Sequence, residues 1–358
     1  MDILINIPTD YIPFWDANKF IIIIMGCSQS SIQLKQDEED KQESTCIKTK
    51  IQSLNKAMEI QHNSIVNAII ELSDLRIVTG DQAGYITLFT IDYENEQWTK
   101  IAEEKAHATW VHSFCELSDY RLVSSSRDMT LKLWDISDDT IIHIGTLKGH
   151  QFFVYQVIPL KEDIIASGSS DRTIRLWEVN VYKEEMVVLD EDFDVYSLLK
   201  LKNKDVMISG GQGNSVSFWN INALQKEYSV PCCDCTSING IIELPNHCIA
   251  VNGGLSTTVD IIDTENYQVI KQVECEDYIT KCKYIVMCSS LCLLDNGTFI
   301  YSREGGFCQI SSTTHEVLFK FKMPREFRGY ALAISSNGKY IMADNWKRSL
   351  SLFKVDYI

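Results

Sequence analysis

The sequence predicts an all-β fold assembled from repeated meanders of short antiparallel strands, and two observations predict it. The stretch Gly149 to Glu178, GHQFFVYQVIPLKEDIIASGSSDRTIRLWE, alternates apolar and polar residues in three short runs, Val154 to Leu160, Ile164 to Ser167 and Thr173 to Trp177. Each run is bounded by turn residues, the signature of strands joined by tight turns. The residue that closes the third run then recurs along the chain as Phe89, Trp134, Trp177, Trp219, Ile262, Ile310 and Phe353, at separations of 45, 43, 42, 43, 48 and 43. Chance loops do not hold a period so closely, and about 40 to 45 residues is the length of one unit in a radial array of small sheets.

The same stretch carries a more specific likeness. Gly149-His150 at its front and Trp177-Glu178 at its back resemble the Gly-His and Trp-Asp ends of the WD-repeat family. The resemblance implies a seven-bladed β-propeller of four-stranded antiparallel blades. It also implies a hydrogen-bonded series in each complete blade: a His before the first strand, a Ser or Thr on the second, an Asp in the next turn and a Trp on the third. The matching residues are His150, Ser167 or Ser169, Asp171 and Trp177 in blade 3, and His107, Ser124 or Ser126, Asp128 and Trp134 in blade 2. A carboxylate accepts, an indole N–H only donates, and an imidazole and a hydroxyl relay between them. Closing the series satisfies groups that burial would otherwise leave unpaired.

The other copies are less complete. Blade 1 keeps His62 but has Ala83 and Phe89 where Asp and Trp would stand; blade 4 keeps Trp219 but offers Gly213 for Asp and Glu191 for His. The family's series is not expected in blade 4, which should be looser than blades 2 and 3. Blades 5 to 7 carry the turn and strand pattern alone. The sequence ends at the third strand of blade 7, SLSLFKVDYI, while KAMEIQ, Lys56 to Gln61, precedes His62 as an outer strand precedes each repeat. This segment is expected to pair with blade 7 and close the ring, which removes an open sheet edge. Overlapping its start, Ile51, Leu54 and Met58 fall at helical spacing over too short a length for a coiled coil, so the segment from Ile47 reads as a short helix or an edge strand.

Composition narrows the classes of function. With 358 residues, 45% of them hydrophobic, the chain is long enough for one large all-β domain. Its 49 acidic against 33 basic residues, a net charge of −16, argue against a general nucleic-acid binder, which needs basic surface to displace counterions. The 12 cysteines show no paired spacing set against histidines, so they read as reduced, small buried side chains; the cluster Cys232, Cys233 and Cys235 is not assigned to a metal. There is no Gly-Lys-Ser/Thr phosphate loop, no His-Glu-x-x-His pair and no Gly-x-Ser-x-Gly elbow. No catalytic residue, metal or cofactor is therefore assigned.

The N-terminal part divides in two. Residues 1–24 end in the apolar run Phe20 to Met25, too short to span a membrane, and Asp2, Asp10 and Asp16 against Lys19 do not suit a secretory signal. Met25-Gly26-Cys27-Ser28-Gln29-Ser30 fits the N-myristoylation pattern with a cysteine beside the glycine. Translation starting at Met25 would expose Gly26 for myristate and Cys27 for palmitate, making residues 1–24 an upstream or leader extension. Residues 25–55 then form the acylation motif and an acidic polar tether, and residues 56–358 the propeller.

The expectation for function is a non-catalytic scaffold or adaptor in the cytoplasm or at the cytoplasmic face of a membrane, binding a protein or peptide on the top face of the disc. In the family, the residue after the first-strand valine lies near the rim of the central channel; here these are His112, Tyr155 and Tyr196, and the turns before two third strands add Arg127 and Trp346. Tyr, Trp and Arg are the usual anchors of protein interfaces. The resemblance also admits a substrate receptor of a ubiquitin ligase, whose repeats often end Trp-Asp-x-Arg; Trp134-Asp135-Ile136-Ser137 and Trp177-Glu178-Val179-Asn180 lack that Arg. A propeller enzyme is the third reading, since fold does not fix function.

Overall fold

Alternating sequence becomes seven antiparallel sheets arranged around a common centre in the computed structural model. It describes residues 22–24, 51–180, 187–232, 236–254, 256–275, 289–294, 296–303, 306–322, 327–335, 338–345 and 347–357. Blade 2 is representative: Val111–Glu116, Arg121–Ser126, Thr130–Asp135 and Ile142–Lys148 pair in succession. The first strand of each blade contacts the first strand of the next, and that of blade 7, Phe327–Ile334, contacts that of blade 1, Val66–Glu71, so the ring is closed.

Burial follows position in the blade. The first strand of blade 1 is buried throughout, because both its faces pack on neighbouring sheets. The third strand of blade 3 alternates, and the outer strand of blade 1, Gln97–Lys105, is mostly exposed. Phe89, Trp134, Trp177, Trp219, Ile262, Ile310 and Phe353 all occupy one register position, opposite Ile77, Leu122, Ile165, Met207, Ile249, Phe299 and Ile341 on the second strands. All seven are buried, which is why any large apolar side chain preserves the period even where Trp is lost.

The ring is closed by the segment from Ile51 to Gln61, which lies antiparallel to Ser349–Tyr357 as the fourth strand of blade 7. It is a strand throughout, not a helix, and begins five residues before Lys56 because the edge it covers extends to Tyr357. A difference from the sequence reading lies at Ile22–Ile24, within the stretch read as a leader. These residues pair with Leu332 to Ile334 on the channel side of blade 7 and give that sheet a fifth, three-residue strand.

Contacts between blades repeat from blade 1 to blade 5. On the face carrying the first-to-second turns, a cation near that turn in each of blades 1 to 4 reaches the next blade's third-to-fourth turn. Arg76 bonds the carbonyls of Ile136 and Asp138, Arg121 bonds Asn180, Lys161 bonds Asn222 and Lys204 bonds the carbonyl of Thr264. Between the sheets, Gly168 and Gly210 sit where an added Cβ would meet Val195 at 2.6 Å and Ile238 at 2.5 Å, so the blades approach as closely as they do only because these positions carry no side chain.

Candidate functional site

Two polar arrangements stand out, one inside the blades and one on the face opposite those cationic ties. In blade 3, Trp177 Nε1 donates to Ser167 Oγ at 2.8 Å, Ser167 lies 2.7 Å from His150 Nε2, and His150 Nδ1 lies 2.8 Å from Asp171. The indole can only donate, so the serine hydrogen goes to Nε2 and the imidazole proton sits on Nδ1, facing the carboxylate. Blade 2 repeats this with Trp134, Ser124, His107 and Asp128 at 2.9, 2.7 and 2.9 Å. The second-strand hydroxyl is thus Ser124 and Ser167; Ser126 and Ser169 instead accept the backbone N–H of Asp128 and Asp171. Thr130 and Thr173, which the sequence reading did not single out, donate to the same two carboxylates.

Burial pushes His107 and His150 below the ordinary histidine range, so both stay neutral. Burial alone would raise Asp171, but His150, Thr173 and the backbone N–H of Gln151 hold it well below the usual carboxylate range. The stabilisation from a carboxylate depressed by folding is complete above the unfolded value of about 4 and is lost as pH falls through the folded value. Asp171→Ala should lower stability at pH 7 by about 1 to 3 kcal/mol, since His150 loses its acceptor, and should flatten the acid limb of stability below pH 4. Thermal unfolding of both proteins between pH 2 and 7 checks this; equal midpoints at pH 7 would refute it.

Blade 4 lacks the family's series, as its sequence led one to expect, but its buried polar groups are paired in another way. Glu191 occupies the place of the imidazole, and a closed network does form, shorter and charged. Ser209 Oγ donates to Glu191 Oε1, and Trp219 Nε1 donates to Ser209 at 2.8 Å and to Glu191 at 3.1 Å. Lys226 bonds Oε2 at 3.0 Å and lies over the Trp219 ring, 5.5 Å from its centre. A carboxylate reaches the serine directly, so neither an Asp nor a relay is required. In blade 1 His62 has neither partner; it packs edge-on against Phe89 at 5.5 Å, and burial pushes it down to about 4.

The top face, which carries the second-to-third turns, holds the second arrangement. After Val66, Val111, Val154, Val195 and Ile238 the register slips by one residue. Asn67, His112, Tyr155, Tyr196 and Asn239 are left as the extra residue of a β-bulge, a device that re-aims a side chain. In blades 2 to 4 this brings three rings into line: His112 and Tyr155 are 5.0 Å apart, Tyr155 and Tyr196 4.8 Å. His112 is buried, 5% exposed, so it lies beneath the rim and underpins the arc, whereas both tyrosines are half-exposed. Burial, then the nearby Arg127, push His112 down to about 3, so it is uncharged.

Arg127 joins the arc, with its guanidinium carbon 4.9 Å from the Trp110 ring centre and 4.5 Å from that of Phe153. Trp110 and Phe153 immediately precede the bulges and were not found in the sequence reading; their place directly before the two first-strand valines was the available signal. Phe152 and Met129 stand exposed at 55% and 41% on loops of the same blades. Trp346, Gly26, Cys27, Cys233 and Cys235 lie outside the described residues. Among the described residues no helix is long and apolar enough to cross a membrane.

Seven four-stranded blades around one axis define a β-propeller. The family model described as WD domain, G-beta repeat matches residues 98–135 and 142–178, each match running from the fourth strand of one blade through the third strand of the next. Residues 98–135 and 142–178 are thus WD repeats within a seven-bladed β-propeller, and propellers of WD repeats typically serve as interaction scaffolds and generally work without catalysis. No curated protein matches it significantly.

Proposed function

We propose that this protein is a non-catalytic adaptor that captures a peptide segment of a partner on the top face of blades 2 to 4. The observation that carries the reading is the aromatic arc of Tyr155 and Tyr196 flanked by Trp110, Phe153 and Arg127. Rigid aromatic rings offer contact area at little entropic cost, and bulges fixed in a closed ring hold them in place before a partner arrives. Tyr155→Ala with Tyr196→Ala removes the exposed part of the arc while leaving the hydrogen-bond sets of blades 2 and 3 untouched. Quantitative affinity purification of the two proteins should show specific partners reduced at least fivefold for the double variant. An unchanged set would refute the site.

The sequence motif at Met25 supports a second element, a tether of the adaptor to a cytoplasmic membrane face. One myristoyl chain holds a protein only marginally, with an association constant of about 10⁴ M⁻¹. The acidic run Asp37 to Asp40 would be repelled by anionic lipid, so Cys27 beside Gly26 is the natural second anchor. A protein starting at Met25 also forgoes the short strand Ile22–Ile24. With a C-terminal tag, the wild type should sediment with membranes, Gly26→Ala should not, and Cys27→Ser should bind weakly. Equal solubility of wild type and Gly26→Ala would remove the tether.

A further inference from the structure

The guanidinium of Arg127 is the one cation of the arc, and it lies against the rings of Trp110 and Phe153. It is half-buried against two rings, yet among the described residues it has no hydrogen-bond acceptor and no carboxylate partner; only its backbone N–H is engaged, with the carbonyl of Trp110 at 3.0 Å. Arg121, also in blade 2, shows the contrast, with Asn180 at 2.7 Å and Asp163 at 3.3 Å. An arginine presents five N–H donors in a planar fork and is weakly hydrated, so contact with rings strips water from it readily and leaves the donors wanting an acceptor. Beneath it, both ring nitrogens of His112 lack a hydrogen-bond partner although the residue is 5% exposed. Tyr155 packs on His112.

We propose that Arg127 is a carboxylate receptor, and that the partner segment presents an aspartate or glutamate side chain to it with an apolar neighbour against Phe152 and Met129. This rests on the top-face reading above and names the chemistry recognised there. A carboxylate takes two N–H groups of one guanidinium at once, which matches a single unpaired fork. A phosphate dianion fits less well. Arg172, in the second-to-third turn of blade 3, is 63% exposed and already faces Asp194 at 3.5 Å, so it is not an unpaired cation that would balance a second negative charge. The surface of a protein carrying −16 opposes the dianion further. The exposed Phe152 and Met129 supply the apolar ground on which such a charge pair becomes stronger than in open water.

The test uses the full chain and three immobilised libraries of random heptapeptides, with glutamate, glutamine or phosphoserine fixed at the centre. Peptides from the glutamate set should dominate binding. The best of them, compared in solution by fluorescence anisotropy, should lose about tenfold in affinity on Glu→Gln in the peptide, as expected for one charge-assisted bidentate contact. Arg127→Lys should cost a similar factor, because it keeps the charge and stem but not the fork. Arg127→Gln should erase the preference for glutamate over glutamine, and near-wild-type unfolding midpoints identify these effects as local. Equal binding of the glutamate and glutamine sets, tighter binding of phosphoserine, or a preference that survives Arg127→Gln would overturn the assignment. If Tyr155→Ala with Tyr196→Ala abolishes binding while Arg127→Gln leaves it intact, the carboxylate assignment fails and the top-face site stands. If the tyrosine variant binds as wild type does, or no library binds, the site itself fails.

Discussion

A chain shortened to begin at His62 should lose cooperative unfolding and accumulate as oligomers, and a synthetic peptide covering residues 47–61 should restore a monomer when added in trans. Removing Ile51–Gln61 strips the fourth strand from blade 7 and takes Ile51, Met58 and Ile60, at 0%, 6% and 0% exposure, out of the core. At about 1.5 to 3 kcal/mol for each buried apolar side chain the loss is about 5 to 9 kcal/mol, comparable with the whole stability of an ordinary domain. Further contacts go with it: the backbone N–H of Ile51 donates to Gln309 at 2.9 Å, and Ser53 to Asp356 at 2.6 Å, the first of these tying blade 7 to blade 6. The strand Ser349–Tyr357 would then present an unpaired edge, a template for pairing with another chain. Denaturant unfolding and size-exclusion chromatography of residues 62–358, with and without the peptide, check this. A shortened chain as stable and monomeric as the parent would show that the ring does not depend on its closing strand.

The second large effect is expected in blade 4, from Lys226→Met. Glu191 has a fully buried side chain, and Lys226 is its only cationic partner among the described residues. Without the lysine the carboxylate keeps donors from Ser209, Ser217 and Trp219 but carries an uncompensated charge. Breaking a buried pair in this way costs about 3 to 5 kcal/mol; the lower end applies because Lys226 is itself 30% exposed. Adding Glu191→Gln should recover at least half of the loss, since the amide oxygen still accepts from Ser209 while the charge is gone. Urea unfolding of the two single variants and the double variant yields the coupling energy. A cost for Lys226→Met under about 0.5 kcal/mol would mean that the pair is screened and blade 4 is held by apolar packing alone.

The hydrogen-bond sets of blades 2 and 3 were legible because they use side chains of one kind each at fixed offsets. His107 and His150 each stand 27 positions before their tryptophans, and Asp128 and Asp171 each stand 6 before. Glu191 was legible as a departure but not as a solution, because its partner Lys226 lies 35 residues on, in an outer strand where a lysine is ordinarily a solvated surface residue. Arg127 and the tyrosines could be placed near the channel, yet the depth of His112 depends on the bulge geometry, and Trp110 and Phe153 belong to the arc only because Arg127 folds back over both.

What the sequence by itself determined is the unit and its number: period-two alternation and turn residues act within a stretch of about 40 residues, and the seven buried positions from Phe89 to Phe353 repeat wherever a large apolar side chain fills them. Only the tertiary structure decided how the units meet. The cationic ties join residues 59 to 62 apart, Gly168 takes Val195 against its bare backbone, and the first strand of blade 7 meets that of blade 1 across the whole chain. Such contacts join neighbouring blades, and across blades 7 and 1 they arise only once the ring is closed by Ile51–Gln61; no local pattern encodes them, because the residues concerned become neighbours through the curvature of the array and not through their own spacing.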